Sequence, residues 1–75
     1  YYYLMSDIEF IDQITANLSR IRRQQRYTQR EVAELAGLNP NYYAKVERGD
    51  SMPSLKTIHK LAKALKVTAT DIVGF

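Results

Sequence analysis

The side chains of this sequence suit hydrogen bonding and charge attraction better than catalysis. His59 is its only histidine, it has no cysteine, and its carboxylates are scattered and mostly near bases. A lone histidine beside an apolar helix face is more often structural than catalytic, and no second ligand stands at metal-binding spacing. The sequence also lacks a glycine-rich phosphate loop. We therefore predict no enzymatic activity, no metal ion, no other cofactor and no small-molecule ligand.

The basic side chains are unevenly distributed. The net charge is +3, yet residues 1–19 hold three acids and no lysine or arginine. Residues 20–75 therefore hold eleven bases against five acids, a balance of +6. A compact basic domain is the electrostatic footprint of a phosphate-binding protein. A general solubilising surface is the alternative, and a surplus of this size does not decide between the two.

The length and composition indicate one small domain. Its 75 residues can bury one modest core, which must come from helix packing because no disulfide can form. The lack of cysteine fits a reducing compartment, and we expect a cytoplasmic protein. No signal-like run and no apolar segment of about 18 residues is present, so we expect neither export nor a membrane span.

The stretch that must position the polar and basic side chains is 28–49, which reads TQREVAELAGLNPNYYAKVERG. It contains two helical patterns separated by a short break. The first begins with a capping box, in which Thr28 and Glu31 each satisfy a backbone N–H at the helix start. Gly37 ends it, because glycine adopts the left-handed conformation without steric cost. The apolar face of this helix consists of Val32, Leu35 and Ala36.

The second pattern begins after Asn39, a capping residue, and Pro40, which suits a first turn that requires no N–H. Its buried side contains Tyr42, Tyr43 and Val46, so that Asn41, Ala44, Lys45 and Arg48 lie mostly on the other side. Two helices of about eight residues joined by a glycine-containing turn describe a helix-turn-helix. The hairpin of any all-α domain fits the same pattern, and spacing alone leaves both interpretations open.

The flanking segments predict three further helices. The first begins at Ser6 or Asp7 and buries Ile11, Ile14, Leu18 and Ile21. Its second half carries Arg20, Arg22, Arg23 and Arg26, which either complement the helix dipole or face phosphate. A fourth helix spans about 54–65, with Leu55, Ile58, Leu61, Ala62 and Leu65 inward. A capping box of Thr68 and Asp71 opens a fifth.

The predicted architecture is therefore all-α, a compact five-helix domain over residues 7–75. Residues 1–6 form an N-terminal tail. Met5 resembles a natural start, so we interpret Tyr1–Leu4 as an expression remnant. An ordered aromatic arm is the alternative interpretation.

The run 28–49, followed by PSLKTIHKLAKALKV and TATDI, resembles the lambda-repressor-like (Cro/repressor, XRE-type) helix-turn-helix family. The resemblance covers about residues 14–73. The shared features are a Gln at the second motif position, Ala-x-x-Ala-Gly, Val-Glu-Arg-Gly, Pro-Ser-Leu and Leu-Ala-x-Ala-Leu. Length and spacing are similar to those of restriction–modification controller proteins. The chain also fits the DNA-binding domain of a longer regulator.

The resemblance implies sequence-specific binding of double-stranded DNA and a role in transcription, with the helix at about 40–48 in the major groove. The positions that face base edges in the family are occupied here by Pro40, Asn41, Ala44 and Lys45. The family pattern and the position of the bases assign contacts with the DNA backbone to Thr28, Gln29, Arg30, Asn39, Tyr42, Arg48, Ser54 and Lys56. Arg22 and Glu47 match a structural ion pair that sets how the recognition helix leans from the domain.

Relatives of this type usually act as two-fold dimers on pseudo-palindromic operators. We expect a homodimer through Ile72, Val73, Phe75 and part of the fourth helix, although Ile72 equally fits the core of one subunit. Two positions depart from the family pattern, because Arg26 and Lys66 stand where many relatives have glycine. Either the turns there differ, or each residue is strained by roughly 1–2 kcal/mol.

One alternative keeps the same fold without DNA binding. A protein-interaction or antitoxin-like module would retain the helix-turn-helix shape but present an apolar recognition helix. The polar residues of the second motif helix favour DNA, whereas Tyr42 and Tyr43 leave the protein-binding alternative partly open.

Overall fold

The structure is a computed structural model that describes residues 6–75, and all its regular elements in that range are α-helices. They are α1 (Asp7–Gln24), α2 (Gln29–Ala36), α3 (Pro40–Arg48), α4 (Leu55–Leu65) and α5 (Ala69–Val73). The predicted all-α, five-helix architecture is confirmed. The proposed expression remnant, Tyr1–Leu4, lies outside the described residues. Within residues 6–75, no helix is both long and apolar enough to cross a membrane.

Short polar side chains begin the helices. Each N-cap residue has an extended backbone, and its side-chain oxygen accepts a hydrogen bond from an N–H of the first turn. Thr28 and Thr68 form complete capping boxes with Glu31 and Asp71, as predicted. The helix boundaries are therefore encoded locally. The five caps are Ser6, Thr28, Asn39, Ser54 and Thr68.

One apolar core joins all five helices. α1 packs against α3 and α5, whereas α4 packs against α2 and α5. Because α2 and α3 are too short to be stable alone in water, this packing must hold them in place. The largest completely buried side chains are Tyr43, Leu18, Leu61, Leu65, Ile72, Val32 and Val46.

Two leucines predicted to face the core are exposed instead. Leu35 in α2 is 54% exposed, because this helix buries Val32, Ala33 and Ala36, and Leu35 lies about 100° around the axis from the centre of that face. Leu55 is 87% exposed at the first position of α4. For both residues the prediction of burial was wrong, since helical spacing gives the direction of an apolar face but not its width.

Arg26 and Lys66, which stand where many relatives have glycine, adopt the left-handed backbone conformation that suits glycine. Arg26 follows α1 with φ 62°, and Lys66 follows α4 with φ 57°. Both residues therefore occupy the left-handed region, which costs a non-glycine residue roughly 1–2 kcal/mol. The side-chain amide of Gln25 donates to the carbonyl oxygen of Leu65 at 2.7 Å, which links the ends of α1 and α4.

Candidate nucleic-acid interface

The N-terminus of α3 is organised by Asn39 and Pro40. The Asn39 side-chain oxygen accepts hydrogen bonds from the backbone N–H groups of Asn41 and Tyr42, at 2.8 and 3.3 Å. Pro40 occupies the first helical position, where no N–H is required. At the other end Gly49 closes the helix with φ 88°. The sequence thus fixes both ends of α3 through local contacts.

The sides of α3 differ sharply in burial. Tyr43 and Val46 are completely buried and attach the helix to the core. Asn41 and Lys45 are exposed, and Pro40 and Ala44 are half-buried. The four candidate base-contacting residues stand at positions i, i+1, i+4 and i+5, which lie together on one side of a helix. This side offers an amide, an ammonium group and two small apolar surfaces.

The C-terminal end of α3 is attached to α1 by an ion pair. The guanidinium of Arg22 donates to the Glu47 carboxylate from Nη2 at 2.7 Å and from Nε at 2.9 and 3.0 Å. The Arg22 and Glu47 side chains are 14% and 5% exposed. Arg22 Nη1 also donates to the carbonyl oxygen of Tyr27 at 2.9 Å, a contact that the sequence did not indicate. The pair therefore joins α1, α3 and the start of the α1–α2 connection.

The ionised state of this pair is stabilised by its own hydrogen bonds. Burial is the largest single influence and raises the pKa of Glu47, but the hydrogen bonds and charge of Arg22, together with smaller contributions from neighbouring side chains, bring that pKa below its ordinary value. Gln29 contributes to the same lowering, which places this residue of α2 beside the end of α3. The hydrogen bond to Glu47 likewise raises the pKa of Arg22. The carboxylate thus stays charged at neutral pH.

The Tyr43 hydroxyl is buried beside this ion pair. Burial is the largest cause that raises its pKa, followed by hydrogen bonding with the Glu47 carboxylate and then by the charge of Glu47. The Tyr43 oxygen therefore lies near Glu47, but among the described residues no partner stands at full hydrogen-bonding distance and angle. An unsatisfied buried hydroxyl reduces stability, so the ring and not the oxygen accounts for the packing contribution of Tyr43.

The backbone-contact candidates divide into three groups. Thr28 and Asn39 are exposed caps whose side-chain oxygens accept backbone N–H groups of their own helices. Arg30 and Lys56 are exposed bases. The other candidates bond within the chain, either by a hydrogen bond or by an ion pair. Gln29 interacts with Glu47, and Arg48 forms an ion pair with Asp50. Tyr42 and Ser54 both hydrogen-bond with Thr57.

The predicted dimer residues are separated by their burial. Ile72 is completely buried and belongs to the core, so the prediction of an interface role for it was wrong. Val73 is half-buried, and Phe75 is 58% exposed with its ring centroid 5.6 Å from that of Phe10. Val73, Phe75 and Phe10 line an apolar groove of about 670 Å³, which also includes the exposed Leu55.

Comparison with known proteins shows the family to which this chain belongs. Residues 18–72 match a family model described as helix-turn-helix. The chain belongs to this helix-turn-helix family. The predicted resemblance to the lambda-repressor-like, XRE-type proteins is confirmed, and α2 and α3 are the helices of the motif.

Three relatives illustrate the range of this helix-turn-helix family. An uncharacterized HTH-type transcriptional regulator, y4dJ, from Sinorhizobium fredii is 35% identical over 80% of this chain and 78% of its own length. The immunity repressor protein of Bacillus phage phi105 is 39% identical over 76% of this chain, a region that spans 40% of the repressor. The HTH-type transcriptional regulator PuuR of Escherichia coli is 35% identical over 72% of this chain and 29% of its own length.

A solved structure extends the similarity to three dimensions. The restriction-modification controller protein C.AhdI from Aeromonas hydrophila superposes with a TM-score of 0.80 at 32% identity, over 83% of this chain and 94% of that protein. This helix-turn-helix chain is therefore related to DNA-binding transcriptional regulators in both sequence and fold. Regulators of this kind are generally not enzymes.

Proposed function

We propose that this protein is a sequence-specific regulator of transcription that inserts α3 into the major groove of double-stranded DNA. The observation that carries the proposal is the division of α3 into a buried side, Tyr43 and Val46, and a polar exposed side with Asn41 and Lys45. The major groove admits one α-helix, and its floor carries a base-specific pattern of donors and acceptors. We assign its working compartment to the cytoplasm.

Sequence recognition is assigned to the exposed side of α3. The amide of Asn41 can bond adenine in a bidentate manner, and the ammonium of Lys45 can donate to guanine O6 and N7. Pro40 and Ala44 suit contact with thymine methyl groups. The positive ends of the α2 and α3 helix dipoles favour phosphate, and the exposed bases add attraction without sequence preference. The first N–H groups of α3 already bond Asn39, so its contribution is that of the dipole. The backbone-contact set is Thr28, Gln29, Arg30, Asn39, Tyr42, Arg48, Ser54 and Lys56.

Selection of bound sequences from random duplex DNA at two salt concentrations tests this proposal. We expect one enriched pseudo-palindromic sequence. Asn41→Ala should lose preference at one base pair in each half-site, by about 1–3 kcal/mol. An unchanged preference at every position would remove Asn41 from the recognition set. Failure to enrich any sequence would favour the protein-interaction alternative.

Arg30 provides the complementary test, because its role is assigned to phosphate alone. Arg30→Ala should weaken binding to all sequences alike and reduce the salt slope by about one. Lys63→Ala is a matched control, since Lys63 is an exposed base near the end of α4 that borders Glu34 and Leu35. Lys63→Ala should leave the sequence preference unchanged, and it should reduce the salt slope less than Arg30→Ala does.

We further propose that two copies of the chain associate through the apolar groove between α1, α4 and α5. Asp7 is the charged residue among those that line the groove, so its walls suit an apolar partner and not DNA. A second copy suits this groove, because Leu55 and Phe75 line it and are 87% and 58% exposed, so that each copy would cover apolar surface of the other. The recognition helices of such a dimer should lie about 34 Å apart.

Leu55→Ser tests this association without opening the core, since Leu55 is 87% exposed. Leu35→Ser is the matched control, because Leu35 is an exposed leucine on α2, away from the groove. Sedimentation at tens of micromolar should show a dimer for the original sequence and for Leu35→Ser, and a monomer for Leu55→Ser. A monomer for the original sequence, with and without DNA, would contradict the dimer.

A further inference from the structure

Three hydroxyl groups connect the first half of α3 to the start of α4. The Tyr42 hydroxyl lies 3.2 Å from Thr57 Oγ1, and Ser54 Oγ donates to the same Thr57 oxygen at 3.1 Å. The backbone N–H of Thr57 in turn donates to Ser54 Oγ at 3.1 Å. We name Tyr42, Thr57 and Ser54 the hydroxyl chain.

Thr57 lies in the protein core and not on the surface. It is 6% exposed, and among the described residues it is the buried polar member of an otherwise apolar core. Its oxygen accepts from Ser54 and also meets Tyr42, so its burial is accompanied by hydrogen bonds. Because it is buried, its side chain cannot contact DNA.

We propose that the hydroxyl chain is a positioning device that fixes the orientation of α3 and thereby the sequence preference of the protein. The proposal rests on the DNA-binding function proposed above. Tyr42 and Glu47 are five residues apart, which separates them by about 7.5 Å along the helix and by about 140° around it. Glu47 is bonded to α1 and Tyr42 is linked to α4.

Two attachments at different heights and on different sides restrict a helix more than either does alone. Tyr43 and Val46 hold α3 against the core, and the Arg22–Glu47 pair fixes its C-terminal end, which leaves small changes of tilt and roll at the N-terminal end. The bond to Thr57 removes this freedom in the first half of the helix, which carries Pro40 and Asn41, and it limits the roll that would move Lys45. Hydrogen bonds to base edges tolerate only a few tenths of an ångström and a narrow range of angles, so a small roll of α3 changes which bases these side chains reach.

The central test compares Thr57→Val with Thr57→Ser. Valine keeps the shape of threonine but removes the hydroxyl, whereas serine keeps the hydroxyl and loses a methyl group. For Thr57→Val we expect the ratio of affinities for the selected site and for random duplex DNA to fall about fivefold, the effect of one net hydrogen bond. Thr57→Ser should retain this ratio within about twofold, and neither variant should change the salt slope.

Tyr42→Phe removes the other hydroxyl of the same contact and leaves the core intact. Because Tyr42 is also assigned to the DNA backbone, the readout is the ratio of affinities for selected and random DNA and not the affinity itself. This ratio should fall as it does in Thr57→Val, and in the double variant it should fall no further than in either single variant. This variant also decides the matter if Thr57→Val does not fold. An unchanged affinity ratio in Tyr42→Phe would overturn the proposal. So would an equal loss for selected and random DNA, because the Tyr42 hydroxyl would then act only through the contact with the DNA backbone assigned above.

A measurement without DNA separates this proposal from the DNA-binding function. Amide hydrogen exchange in the free protein should become faster in α3 for Thr57→Val and Tyr42→Phe, whereas exchange in α5 should stay unchanged in both variants. In Thr57→Ser, exchange in α3 should match that of the original protein. Unchanged exchange in α3 would overturn the positioning role. If random DNA yields no selected sequence, the DNA-binding function fails, and the exchange result still decides whether the hydroxyl chain holds α3.

Discussion

Two ion pairs at the end of α3 have the same chemistry and opposite surroundings. Arg22 and Glu47 are nearly buried and linked by several hydrogen bonds between α1 and α3. Arg48 and Asp50, two residues apart, form a pair at 2.8 Å with side chains 58% and 57% exposed. Water competes for the second pair but is excluded from the first, so only the first should determine where α3 lies.

The largest expected effect is the removal of the buried carboxylate. Glu47→Ala leaves the Arg22 guanidinium buried without its partner and should lower the free energy of unfolding by about 3 kcal/mol. Asp50→Ala is the matched control and should change it by no more than about 1 kcal/mol. Urea denaturation of both variants measures the contrast. Equal losses in the two variants would show that burial does not distinguish the pairs.

The pH dependence of stability should sharpen the same comparison. The folded-state pKa of Glu47 is lower than its ordinary value of 4.5. Burial, the largest single influence, raises this pKa, but the hydrogen bonds and charge of Arg22 and the neighbouring polar side chains together outweigh it. The stabilisation is therefore complete above about pH 4.5 and is lost as the pH falls through the folded-state pKa. Thermal denaturation between pH 7 and pH 3 should show the Tm difference between the original protein and Glu47→Gln decreasing below this pH. A constant difference would contradict the assignment.

The smallest expected effect concerns the hydroxyl beside the buried pair. Tyr43→Phe removes an oxygen that has no hydrogen-bonding partner among the described residues. The free energy of unfolding should stay the same or rise by up to about 1 kcal/mol, because the cost of burying the hydroxyl disappears. Chemical denaturation measures this change. A loss above about 1.5 kcal/mol would mean that the hydroxyl supports the Arg22–Glu47 pair.

Features set by neighbouring residues were predictable from the sequence. The capping boxes at Thr28 and Thr68 and the start of α3 at Asn39 and Pro40 depend on contacts within one helical turn. The helix order, the all-α fold and the family follow from these signals together with the apolar spacing. The partners Arg22 and Glu47 were assigned through the resemblance, and the structure places them in contact.

Features set by contacts between distant helices were not predictable. The contact of Tyr42 with Thr57 spans 15 positions of the sequence and depends on how α3 meets α4. The exposure of Leu55 and the burial of Ile72 depend on which surfaces the fifth helix covers. The left-handed turns at Arg26 and Lys66 oppose the local preference of these residues, so the packing of the helices must impose them.

The separation of acids and bases along α1 has a consequence for encounters in solution. Asp7, Glu9 and Asp12 lie near its start and Arg20 and Arg23 near its end, across a helix of 18 residues and about 27 Å. The charge of Arg22 is balanced by Glu47 and does not add to this separation. The molecule therefore has an electric dipole, on which the field of any polyanion exerts a torque. The protein is therefore oriented before contact, with the arginine end of α1 towards the polyanion. A larger share of collisions then begins in this orientation, and association becomes faster at low ionic strength.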